Sequence, residues 1–197
     1  MIDYDYKLLR VLDTLIQECK LCSLHIYGRA KPYWTRKSRY GIFLEAPGKI
    51  EVEKNTPVVG TAGKKLWAAL SDIDLYREDF LIVNSVNCRP VTDNKNGKPT
   101  SEEISSCSDW VRKYIRIVKP QKILVMGKYA IDSFNGILKQ NLLPSDSIVE
   151  NNGRSTFVEF YGIPITVVIS VHPAYTIYNP VGGAAALNHS LKIFRSL

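Results

Sequence analysis

Apolar runs of strand length alternate with segments of helical period, and this alternation constrains the fold more than any other feature of the chain. GIFLEA (41–46), FLIVNSV (80–86) and KILVMG (122–127) are apolar on both faces. That is the pattern of strands covered by helices on each side. TFVEFY and ITVVISV read as two further strands, separated by Gly162-Ile163-Pro164. Between the strands lie helical stretches. Leu8, Leu9, Val11, Leu12, Leu15 and Ile16 recur at helical spacing, KKLWAALSDI and KYAIDSFNGIL follow later, and AAALNHSLKIF closes the chain. Thr100 and Glu103 form a capping-box pair that opens a helix running to about residue 118. The expectation is one α/β domain over residues 1–197: a three-layer α/β/α sandwich around a central, mainly parallel, four-stranded sheet.

In such sheets ligands bind at the carboxyl ends of the strands. The polar residues there are Glu45, Asn84 to Cys88, and His172. Three segments read as loops: the basic, aromatic stretch 28–40, residues 49–63, and the polar TDNKNGKP.

Charge and cysteine content narrow the function. Lys and Arg number 26 against 19 Asp and Glu, a formal net charge of +7. This suits a polyanionic partner such as nucleic acid, although mild basicity is also common among soluble proteins. No apolar run approaches the roughly 20 residues that span a bilayer. The start, MIDYDYKLLR, lacks the basic and apolar regions of a signal peptide. The chain is therefore expected to be cytoplasmic, with no membrane partner. Disulfides are not expected there. Cys19 and Cys22 stand two residues apart, a common metal-ligand spacing, and Cys88 and Cys107 stand 18 apart. The spacing leaves metal ligands and buried thiols both open, and between metals it does not separate zinc from iron–sulfur.

Four further stretches carry a resemblance: EAPG (45–48), PVVGTAG (57–63), NSVNCRP (84–90) and HPAYTIYNP (172–180). Together with the cysteines, in this order and spacing, the chain resembles the family 4, iron–sulfur uracil-DNA glycosylases from about Cys19 to the last helix. The resemblance implies a monofunctional DNA repair hydrolase that cuts the N-glycosidic bond of uracil and leaves an abasic site. It implies a structural [4Fe–4S] cluster on Cys19, Cys22, Cys88 and Cys107. The partner would be uracil-containing DNA, single- or double-stranded, and the protein a monomer. His172 would bond uracil O2 as charge develops there, Asn84 would read the base edge, and Glu51 would orient water or stabilise the cationic sugar. Glu53 is close enough in KIEVEK to exchange with Glu51. Glu45, Ala46, Gly48 and Val58 would line the base pocket. Lys64, Lys65, Arg89, Tyr175 and the wedge Ile177 would contact DNA, joined by Arg36, Lys37 and Arg39.

Two departures stand out. Leu44 replaces a family glycine, and Val58 replaces a phenylalanine that stacks on the base. Tyr175 is a candidate to replace that stack. These departures keep a second reading open, a catalytically weak or inactive relative that binds DNA as an accessory protein.

Overall fold

A computed structural model of the chain describes residues 3–197; Met1 and Ile2, where the signal-peptide reading begins, lie outside the described residues. The elements run in chain order: α1 (Asp3–Gln17), β1 (Tyr40–Leu44), α2 (Lys49–Glu53), α3 (Thr61–Ser71), β2 (Phe80–Asn84), β3 (Val91–Thr92), β4 (Lys95–Asn96), α4 (Ser101–Val118), β5 (Lys122–Met126), α5 (Lys128–Leu138), β6 (Ser155–Phe160), β7 (Ile163–Ser170), α6 (Tyr175–Tyr178) and α7 (Pro180–Ser196).

The central sheet has the order β2-β1-β5-β7-β6. Pairing is parallel between β1 and β2, β1 and β5, and β5 and β7. The sheet thus has five strands where four were expected. The fifth is β6, which returns on β7 as an antiparallel hairpin through Tyr161 and Gly162, both at positive φ. A strand at the edge needs only one apolar face, and β6 buries Val158 and Phe160 while Phe157 stays exposed.

Apolar layers cover both faces. One contains Leu9, Leu12 and Ile16 of α1, with Phe43, Val111, Tyr114 and Phe134. The other contains Leu66 and Leu70 of α3, with Ile42, Phe80, Leu187 and Phe194. Val11 and Leu15 are exposed, so the buried stripe of α1 is narrower than the sequence pattern. Among the described residues no helix is long and apolar enough to cross a membrane. The Thr100–Glu103 capping box is formed in both directions, at 3.2 and 2.8 Å.

Two segments read as loops are more ordered than their composition suggests. Residues 49–53 form the short helix α2. The stretch 28–40 runs along the outer edge of β2: Tyr33 exchanges backbone hydrogen bonds with Ile82, and Ala30 and Ser38 are buried. It is tied down by Asp13 on α1. That carboxylate accepts from Trp34 Nε1 (3.0 Å), Lys31 Nζ (2.9 Å) and the buried Tyr114 hydroxyl of α4 (2.7 Å). A buried hydroxyl donating to a carboxylate holds its proton firmly, and burial pushes the Tyr114 phenol well above its ordinary range.

Tyr114→Phe removes one charge-assisted bond and leaves Asp13 its other partners. It is expected to cost about 1–3 kcal/mol. The check is urea unfolding, in which the midpoint falls while the denaturant slope stays constant.

Candidate active site and sulfur-lined cavity

A cleft of about 470 Å³ opens at the carboxyl ends of β1 and β2. Strand register sets its floor, because Leu44 and Asn84 are paired neighbours at the last rung of the two strands. Each turn that leaves a strand end contributes one wall. Ala46, Pro47 and Gly48 follow β1, and His172, Pro173 and Ala174 follow β7. Val58 and Gly60 come from the loop ahead of α3.

Asn84 is 4% exposed, and among the described residues no hydrogen bond occupies its carboxamide. A buried amide left free on a cleft wall is placed to read a ligand edge, because it offers one donor group and one acceptor.

His172 is fixed in one tautomer. Its Nδ1 lies 3.1 Å from the backbone N–H of Ala174, so Nδ1 carries the lone pair and the proton sits on Nε2. Burial lowers the imidazole below its ordinary value. The ring is therefore a neutral Nε2–H donor at neutral pH. Gly127, at φ 91°, makes room for it, since a Cβ there would lie 2.9 Å from His172 Cβ. This support was not visible in the sequence, where Gly127 read only as the end of a strand.

Glu51 lies in a cradle built from backbone. Its Oε1 accepts from Val59 N–H (3.0 Å) and Gly60 N–H (2.6 Å), at the N-terminus of α3. Two oriented N–H groups at a helix start thus fix the position of this oxygen. Its Oε2 faces Gly48, where a Cβ would lie only 2.8 Å away. Glu53 points elsewhere and pairs loosely with Lys49 at 3.9 Å. Asn96 arrives from the β3–β4 hairpin, which the sequence presented only as a polar loop. Its Nδ2 lies 3.4 Å from the same position beside Gly48. Arg89 Nε donates to Asn96 Oδ1 at 2.6 Å and so fixes which way the amide faces.

Val58 lines the cleft in a left-handed conformation, φ 57°. That is strained for a β-branched residue, on the order of 1–3 kcal/mol. Its carbonyl accepts from Trp67 Nε1 (2.8 Å) and Arg77 (3.2 Å), and Arg77 also bonds Pro57 O (2.6 Å). Arg77 is itself packed over the Tyr33 and Trp67 rings. The clamp was not foreseen from sequence.

Other expected site residues fall outside the cleft lining. The Glu45 side chain is half-buried, and burial raises its carboxyl above the ordinary range against the opposing charge of Lys98. Tyr175 packs against the apolar layer that also contains Val58, and its hydroxyl accepts from Asn179. Lys64 and Lys65 are exposed on α3, and Ile177 is exposed beside the more exposed Tyr178 and Val181. Arg36, Lys37 and Arg39 do not join them. They precede β1 and so lie at the opposite end of the sheet from the cleft, Arg36 pairing with Asp3.

The four cysteines line one cavity, together with Asn87 and Trp110. Cys19 and Cys22 follow α1, Cys88 follows β2 and Cys107 lies on α4. Asn87 Nδ2 donates to Cys107 Sγ at 3.3 Å. Burial pushes the Cys88 thiol up to about 11 and Cys107 to about 12, with neighbouring cysteines adding to the rise. Among the described residues no three His, Cys, Asp or Glu side chains converge to hold a single metal ion. The donor set is four thiols around a common, largely apolar space, and it fits a thiophilic polynuclear group.

Residues 33–196 match the sequence profile of the uracil DNA glycosylase superfamily. The chain is similar to the Type-4 uracil-DNA glycosylase of Archaeoglobus fulgidus, with 32% identity over 86% of this chain and 84% of that protein. It is similar to that of Saccharolobus solfataricus, 32% over 84% and 75%. It is similar also to that of Sulfurisphaera tokodaii, 33% over 82% and 72%.

The tautomer of His172 is directly checkable. Nitrogen-15 NMR is expected to show a protonated Nε2 at neutral pH and a titration below about 6.5, the unperturbed value. Because the folded pKa is lowered, the unfolded chain takes up the proton first. His172 should therefore subtract stability as pH falls below about 6.5.

Proposed function

The chain belongs to the uracil DNA glycosylase superfamily, and from that premise we propose that it excises uracil from DNA by hydrolysing the N-glycosidic bond, leaving an abasic site. The single observation that carries the residue assignment is the meeting of a free Asn84 amide, a neutral His172 donor and the backbone-held Glu51 carboxyl group in one cleft.

A base inside a duplex must leave the stack to reach such a cleft. Asn84 would meet uracil O4 and N3–H with its donor and acceptor. Cytosine offers the opposite pattern at those atoms and is rejected by it. As the bond breaks, negative charge gathers on the uracil. The His172 Nε2–H would donate to O2 without reorganising, because Ala174 and Gly127 already hold the ring. The sugar gains cationic character. Glu51 Oε2 is the open carboxylate oxygen, and Asn96 Nδ2 faces the same spot beside Gly48. Glu51 Oε2 and Asn96 Nδ2 thus both approach Gly48 on the cleft wall, and there Glu51 would orient a water molecule and relieve it of a proton.

The four cysteines would hold a [4Fe–4S] cluster. When bound, it serves as a structural tie between the end of α1, the segment after β2, and α4. Lys64, Lys65 and the exposed Ile177 and Tyr178 rim are the proposed DNA contacts, with Arg89 acting through Asn96.

The test is release of uracil from a uracil-containing oligonucleotide, scored by alkaline cleavage at the abasic site. His172→Ala should reduce turnover about 10²–10³-fold, the usual loss for one charge-stabilising donor. Val58→Phe should raise activity about tenfold or more. It restores a base-stacking surface worth about 1–3 kcal/mol and replaces a β-branched residue at positive φ. An intact parent protein that releases no uracil from either single- or double-stranded DNA would leave only DNA binding without catalysis.

A further inference from the structure

Trp110 is one of two described residues with a buried side-chain polar atom that lacks a hydrogen-bond partner. Its indole Nε1 is a donor and cannot accept. The chain's other two tryptophans are satisfied, Trp34 by Asp13 and Trp67 by the Val58 carbonyl. An orphaned buried N–H is unfavourable and asks for an acceptor.

The location of Trp110 says what the acceptor is. The residue stands one helical turn after Cys107 on α4, so both side chains share a face. It lines the same cavity as the four cysteines. The other lining residues are Ile16, Leu21 and Val86, which are apolar, and His25, Asn87 and Ser106. The polar side chains there are largely committed: Asn87 donates to Cys107 Sγ, and His25 Nδ1 is bonded to Cys22 O. Sulfur is the most abundant acceptor here, since four of the eleven lining residues are cysteines.

We propose that the Trp110 indole N–H donates a hydrogen bond to a sulfur of the group held by Cys19, Cys22, Cys88 and Cys107, working as the counterpart of Asn87 on Cys107. This rests on the cluster reading given above. An N–H directed at a cluster sulfur stabilises the more electron-rich state, so it raises the reduction potential and shields the sulfur from solvent. Trp110 is thus a tuning residue for the cluster and takes no part in the chemistry of the uracil cleft.

The experiment uses holoprotein purified without oxygen. Iron and acid-labile sulfide are measured first. The protein is then labelled with nitrogen-15 at tryptophan indole and the cluster is reduced with dithionite. Pulsed electron paramagnetic resonance is expected to detect one indole nitrogen coupled to the cluster. Trp110→Phe should lose that coupling. It should also show a more negative midpoint potential and a smaller change in Fe–S stretching frequencies on transfer to deuterium oxide, with iron and sulfide content unchanged. Bound iron and sulfide with no indole coupling in the parent protein overturns the Trp110 assignment and leaves the cluster reading standing. Protein with neither iron nor sulfide overturns both. Should Trp110→Phe fail to retain the cluster, the labelled parent protein still decides the matter.

Discussion

Parallel pairing of β1 with both of its neighbours is the constraint on which the rest depends. Tyr40 aligns with Phe80 and Lys122, and Leu44 aligns with Asn84. Since β1, β2, β5 and β7 all run the same way, their carboxyl ends share one edge of the sheet. The segments at this edge build the cleft: Ala46 to Gly48 after β1 form a wall, the Asn84 amide closes β2, Gly127 after β5 makes room for His172, and His172 follows β7. A slip of one residue in β2 would turn Asn84 away from the cleft and push a core residue into it. The apolar runs therefore do more than fill a core. By fixing register, they set the spacing of the polar groups at the edge.

The cleft is held by backbone as much as by side chains. Glu51 lies across two helix starts, its own α2 and the following α3, and takes two backbone N–H groups with one oxygen. Gly48 and Gly60 supply the space on either side of the carboxylate. The opposite wall is strained at Val58 and is held by the Arg77 guanidinium and the Trp67 indole on successive carbonyls. Such strain persists only where surrounding structure over-determines it. Here the surroundings reach back through Tyr33 to the edge of β2, so the wall of the cleft is anchored to the same sheet as its floor.

Much of this was legible in the sequence, and the failures have identifiable causes. Strands apolar on both faces announced the parallel sheet, and KYAIDSFNGIL matches α5 residue for residue. TFVEFY reads as a strand, yet the expected sheet has four; the alternation that marks a strand does not say whether it joins the main sheet, and β6 joins it as the antiparallel edge. Helix α2 was missed because five residues, none of them buried, leave no apolar period to read. Asn96 was missed because a two-residue hairpin strand has no pattern at all, and its place in the cleft is set by the Arg89 bond. Arg36, Lys37 and Arg39 are expected on one surface with Lys64, Lys65 and Arg89, whereas they precede β1 and lie at the end of the sheet away from the cleft. Composition reports charge, but only strand direction reports which end of a strand the charge occupies.

The opening residues after β2 show why the sulfur cavity and the cleft are one mechanical unit. Asn84 ends the strand in the cleft, Cys88 faces the cavity four residues later, and Arg89 turns back to hold Asn96. This short segment is pinned from outside by residues 28–30: Ala30 N–H bonds Asn87 O, and Arg89 N–H bonds Gly28 O. Residues 28–30 in turn follow Cys19 and Cys22, and the Arg29 side chain bonds the Ile16 carbonyl near the end of α1. A group bridging the four sulfurs thus closes a ring of contacts: α1, the 28–30 segment, the strand exit, and α4. Within the protein itself, the strand exit is fixed by packing and by the two backbone hydrogen bonds to residues 28–30. A group held by the four cysteines would add a further tie to this hydrogen-bonded ring, and through the short segment 84–89 it would bear on where the Asn84 amide sits in the cleft.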